Sequence, residues 1–232
     1  MQELTVLPVL LTLIGLIAIG QVFGPRDPAP RNNKKLETRW AWAAGICFAG
    51  LSTWLFSDLY ITGFACAPDF FEYCQAVLFI TGEHDVFPEK RSRFAALLPA
   101  WISRDTGILD GLALAGVIST GITGCALFYW ARKLGGRCAG ILCIALSLSM
   151  APLAALPRFL AFYPEICASL CLAAAATSHA ILDPKRSSML LAGSAIGISL
   201  LMDLRSLLWA LPFLGGSILA AVSATREWRD HA

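Results

Sequence analysis

The sequence predicts an all-α, polytopic membrane protein of about seven transmembrane helices, with an outer loop that carries short interfacial helices. Three observations predict it. Residues of the AVILMFWYC class make up 57% of the 232 positions and charged residues only 15%, against about 25% charged in ordinary soluble domains. The apolar residues gather into stretches of about 20, the number a helix rising about 1.5 Å per residue needs to cross a hydrocarbon layer of about 30 Å. No stretch alternates as a barrel strand does, so backbone amides in lipid must be satisfied within helices. The net charge of +2 comes from 18 basic and 16 acidic residues scattered along the chain, which gives no field for capturing nucleic acid, and no nucleic-acid partner is expected.

Taken in order, the stretches run over 4–23, 40–60, 107–130, 138–157, 164–182, 189–204 and 207–224, the last two being short. The first resembles a signal peptide, but Met1-Gln2-Glu3 supplies no basic leader and no small-residue cleavage site follows Gly20-Gln21-Val22-Phe23, so an anchor is expected. A Pro- and Lys/Arg-rich segment, 24–39, reads as a solvated loop. Threading the stretches makes alternate loops face opposite sides. One set holds Arg26, Arg31, Lys34, Lys35, Arg39, Arg132, Lys133, Arg137, Lys185, Arg186, Arg226 and Arg229; the other holds Lys90, Arg91, Arg93, Arg104, Arg158 and Arg205. The richer set marks the cytoplasmic side, which leaves the N-terminus and the loop 61–106 outside. The expected organisation is a single transmembrane domain over 1–232, set in the cytoplasmic membrane of a bacterium.

Within the loop, Pro68 with Asp69 and Glu72 just after it reads as a helix start, since anions suit the unpaired N–H groups there. Phe70, Cys74, Val77 and Leu78 then share one face and Asp69, Glu72 and Tyr73 another, as in a helix lying in the interface. A second start is expected at Pro88-Glu89, followed by Lys90, Arg91, Arg93 and the apolar run Phe94–Trp101. Of the eight cysteines, six lie in or at the ends of apolar stretches and read as small hydrophobes; Cys66 and Cys74 share the outer loop, and a disulfide between them stays open. The three histidines, His84, His179 and His231, are far apart; no CxxC, HExxH, Walker or GxSxG pattern occurs, and neither cofactor nor metal site is expected. A divalent metal requirement stays open.

A carboxylate near lipid can take a proton from an acceptor hydroxyl, while guanidinium and ammonium groups hold a lipid-linked phosphate and stabilise it as it leaves. The same residues serve equally as helix caps and headgroup contacts, and taken alone they favour that plainer reading. Asp58, Asp110 and Asp203 lie at or inside apolar stretches, where charge is expensive; the first two sit near ends that water reaches.

The motif Pro68-Asp69-Phe70-Phe71-Glu72-Tyr73 after a membrane helix resembles the opening of the GT-C glycosyltransferases, in particular the protein O-mannosyltransferase-like group of family 39. Leu127-Phe128-Tyr129-Trp130-Ala131-Arg132-Lys133-Leu134-Gly135-Gly136-Arg137 is similar to that group's helix end and cytoplasmic turn, and Arg158-Phe159-Leu160-Ala161-Phe162-Tyr163-Pro164-Glu165 to its outer turn. The stretch from Gly193 to Pro212, with Asp203 and Arg205, is similar to its glycine-rich helix ending in an outer-face arginine. The likeness covers about 40–224. It implies transfer of a sugar, with inversion, from a polyprenyl- or dolichyl-phosphate donor to a hydroxyl acceptor on the non-cytoplasmic side. By this likeness Asp69 is the general base and Glu72 a second acid, while Lys90, Arg91, Arg93, Arg158, Glu165 and Arg205 are candidates for holding substrate. The chain departs from the family in its Asp-x-x-Glu spacing, where adjacent acids are commoner, and in the additional stretch 4–23. Members usually continue with further spans, so a module with little activity unless a second subunit completes it is expected. The alternative is a non-catalytic multi-pass subunit or scaffold, to which Gly193-x-x-x-Gly197 is suited. A transporter ranks third, for want of paired charges deep in several stretches.

Overall fold

The computed structural model describes residues 34–57, 68–85, 88, 93–158, 160, 162–182 and 185–203. The stretches 4–23 and 207–224, together with Asp58, Cys66, Lys90, Arg91 and Arg205, lie outside the described residues; so does the side chain of Asp69, whose backbone is helical. Every described element is a helix: α1 (Lys34–Leu55), α2 (Pro68–Thr81), α3 (Arg93–Thr106), α4 (Ile108–Ser149), α5 (Ala151–Ala154), a 3-10 turn (Leu156–Arg158), α6 (Tyr163–Leu182) and α7 (Arg186–Met202).

Although α4 is helical over 42 residues, it is a hairpin rather than a rod. Gly136 has φ +79°, and a Cβ on Gly140 would lie 2.9 Å from the Phe128 ring. In a straight helix those two residues would be about 18 Å apart. Phe48 gives the same answer, because it abuts Gly124 and also clusters with Leu148. The arms are Ile108–Lys133 and Gly136–Ser149, in agreement with the expected turn between stretches 107–130 and 138–157. The second arm ends early, which corrects the expected span to 157: Met150 is extended (φ −87°, ψ 101°), and a proline opens α5, where its missing N–H costs nothing. Residues 151–158 form two short turns instead.

Helix α1 packs antiparallel to the first arm, Gly45 against Cys125 and Ala49 against Gly121, and reaches the second arm through Phe48 and Leu55. Absent side chains let these backbones approach. Hydroxyls in the apolar arms bond back to their own helix, Thr120 to the Gly116 carbonyl at 2.7 Å and Thr123 to the Ser119 carbonyl at 2.9 Å, so burial leaves neither unsatisfied. Helix α6 joins α7 through small residues, Ala173, Ala176 and Ala180 meeting Ala192 and Ile196. Helices α2 and α3 cap one end through a cluster of Tyr73, Ala76, Val77, Ala95, Ala96, Ala100, Leu112, Leu160 and Phe162.

That cap corrects the expected orientation of α2. Tyr73, read as part of a polar outer face, is 1% exposed and packs on Phe162 with ring centroids 4.2 Å apart, while Phe71 faces outward. A helix lying alone in the interface would present Phe70 and Cys74 to lipid. Docked on α3 and the segment before α6, it gains more by burying the large Tyr73 ring. Two helices, Ile108–Lys133 and Tyr163–Leu182, are long and apolar enough to cross a membrane. Ile46, Trp54 and Leu190 point outward, as lipid-facing side chains do.

Candidate functional site

The helices enclose an apolar groove of about 580 Å³, bounded by α1, α3, the first arm of α4, α6 and α7. Its floor is α6, whose Ala168, Leu172, Ala175 and Ala176 line it between Glu165 and His179. The small residues of α6 make the room, and the volume falls in the range of about 300–1,000 Å³ usual for ligand sites.

At one end stands Glu165, in the first turn of α6 after Pro164. It is 5% exposed, and neither carboxylate oxygen completes a hydrogen bond. The Tyr73 hydroxyl lies beside it, close enough for each to sense the other's charge but short of hydrogen-bond geometry. Burial first, and the Glu165 charge second, hold the Tyr73 hydroxyl well above its ordinary range, so it stays a protonated donor. Next to Tyr73, Cys74 is a free thiol pushed up to about 11 by burial. At the other end His179 stacks edge-on against Tyr129, ring centroids 6.1 Å apart, and Arg137 lies 4.7 Å from the Trp40 ring, which ties the α4 turn to the start of α1.

The expected site residues are brought together only in part. Glu165 and the α2 helix that carries Asp69 and Glu72 meet through Tyr73; Glu72 itself is half-buried. Arg93 is exposed and lies 5.2 Å from the Phe79 ring, about 10 Å along α2 from Glu72. Arg158 donates from Nη2 to the Thr53 carbonyl at the end of α1, 2.7 Å away, and so fastens the 3-10 turn to α1. Among the described residues, then, Arg93 and Arg158 stand on different elements and hold different partners. No group of three His, Cys, Asp or Glu gathers among the described residues.

Sequence reasoning missed Tyr73 and the groove. The spacing Tyr73, Ala76, Val77 held the signal for the first, an i, i+3, i+4 face that competes with the one through Phe70 and Cys74. The alanine run 173–176 held a weaker one for the second. Compared with known proteins, the chain matches no family model, no curated protein and no solved structure.

Proposed function

We propose that the chain is a membrane glycosyltransferase, or the N-terminal module of one, moving a sugar with inversion from a polyprenyl- or dolichyl-phosphate donor to an acceptor hydroxyl on the non-cytoplasmic face. The observation that carries the reading is that the acidic helix α2 lies, through Tyr73, beside Glu165, which lines one end of an apolar groove. A membrane substrate lodged there would present its polar end beside the helix that bears Asp69 and Glu72. In this reading Asp69 takes the proton from the acceptor hydroxyl, Glu72 positions one of the substrates, and Lys90, Arg91, Arg93, Arg158 and Arg205 supply positive charge to the departing phosphate. Holding donor and acceptor in line contributes by proximity. The chain is multi-pass in a bacterial cytoplasmic membrane, with α2, α3 and Glu165 on the outer side. The basic residues Lys133, Arg137, Lys185 and Arg186 then fall on the cytoplasmic side, as the positive-inside bias favours.

The test is sugar transfer by native membranes containing the full chain, where any completing subunit is present. Asp69→Asn is expected to lower transfer at least about 100-fold, the lower end of general-base contributions, while the protein stays folded and inserted. Transfer undiminished in Asp69→Asn would refute the reading.

One observation favours a second reading, a non-catalytic subunit. A Cβ on Gly193 or on Gly197 would meet nothing within 4 Å, so this small-residue face of α7 is open to a further helix. In that case Gly193→Leu weakens an assembly, and Asp69→Asn changes little.

A further inference from the structure

Among the described residues lining the groove, Glu165 stands apart. Buried polar groups nearly always have partners, and a carboxylate that is 5% exposed, with neither oxygen hydrogen-bonded among the described residues, calls for one. The Tyr73 hydroxyl beside it is equally buried and equally lacks a hydrogen bond. Glu165 therefore stands at one end of a largely apolar groove, with the Tyr73 hydroxyl just behind it on another helix.

The shape of the groove decides the tail of the missing partner. From Glu165 it follows α6 past Ala168, Leu172 and Ala176 to His179, about 21 Å along the helix axis. One leaflet of a hydrocarbon layer is about 15 Å deep, so a single extended alkyl chain of lipid length fits along it. The charge decides the head. No Lys or Arg is among the described lining residues, so from them a phosphate or carboxylate head would receive no counter-ion beside the Glu165 carboxylate. A primary ammonium carries three N–H donors and the complementary charge, enough for both carboxylate oxygens and the phenol oxygen.

We propose that this groove binds a long-chain primary amine, its alkyl chain along α6 and its ammonium on Glu165, with the Tyr73 hydroxyl as a further acceptor. The proposal names the occupant of the groove and is tested without a sugar donor.

The test is equilibrium binding of radiolabelled tetradecylamine to the full chain in phosphatidylcholine nanodiscs at neutral pH, with empty nanodiscs subtracted and with tetradecanol and tetradecyl phosphate in parallel. The amine is expected to bind saturably and at least about tenfold more tightly than the alcohol, since an ion pair in a desolvated site outweighs a neutral hydrogen bond. Glu165→Gln should bring the amine down to the level of the alcohol, and Tyr73→Phe should weaken it by a smaller factor. Ala176→Leu, about three-quarters of the way along the groove from Glu165, should weaken tetradecylamine while sparing octylamine, which keeps the proposal testable if Glu165→Gln does not fold. Alkyl phosphate binding as tightly as the amine, amine binding unchanged in Glu165→Gln, or no saturable amine binding to wild type would each overturn it. No sugar donor is present in the assay, so this failure and a failure of the transferase reading are separate results.

Discussion

Tyr73 shows how a single residue reverses the reading of a helix. By composition it belongs with Asp69 and Glu72, yet it is 1% exposed, because its ring packs on Phe162, which leaves its hydroxyl beside Glu165. Helical spacing offered two overlapping faces, and only the presence of a packed layer behind α2 selects between them. Cys74 shares that environment. With its thiol pushed up to about 11 by burial, on the order of 100-fold less thiolate is present at pH 8 than for an ordinary cysteine. In a variant retaining Cys74 alone, alkylation by iodoacetamide is expected to be slower than in the denatured chain by about that factor. Equal rates would show the thiol to be unshielded. The linkage has a definite sign. The folded protein keeps the proton to higher pH than the unfolded chain, so this group's contribution is fully present below pH 9 and is lost as pH rises towards 11. Thermal stability is accordingly expected to fall more steeply above pH 9 in the wild type than in Cys74→Ala.

At the scale of elements, glycines divide into those that hold the bundle together and those that leave it open. Gly136 sits at φ +79° in the turn between the arms of α4, where an L side chain costs about 1–2 kcal/mol. Gly45 lies against the Gly121 carbonyl, so the methyl of Gly45→Ala has to push α1 away from the first arm. Overpacking of that kind costs about 1–3 kcal/mol. Gly193, by contrast, faces open space in the middle of α7, and Gly193→Ala is expected to gain up to about 1 kcal/mol in helix propensity. Thermal unfolding of the purified variants in detergent is expected to order them with Gly193→Ala at or above wild type and the other two below. A loss in Gly193→Ala matching that in Gly45→Ala would mean that the α7 face is occupied. Most of this layer was legible: apolar stretches and the Lys133–Arg137 turn gave both arms of α4, and Pro164 gave the start of α6. Hydropathy carries the second arm on to 157 because residues 150–157 are apolar throughout, and it does not register the prolines that break the helix there.

Across the whole molecule, the two ends differ in chemistry. Trp40, Lys133, Arg137 and His179 gather at one, with Tyr73, Glu165 and the capping helices α2 and α3 at the other, and an apolar groove runs between them. The sequence reading anticipated acids and bases on the outer loop but not that Glu165 would turn into the helix bundle, since a carboxylate after Pro164 reads first as a helix-dipole charge. Nor can spacing along a chain reveal a groove, which arises only from how α1, α3, α4, α6 and α7 lean together. The central claim joins this architecture to sugar transfer, and donor binding tests it most directly. The measurement is binding of a radiolabelled polyprenyl-phosphate sugar to the full chain in nanodiscs, comparing wild type with Arg205→Ala and Asp69→Asn. Saturable binding that Arg205→Ala loses and Asp69→Asn keeps is the expected result, because it separates the seat of the phosphate from the base. Absence of saturable binding by the wild type would contradict the account.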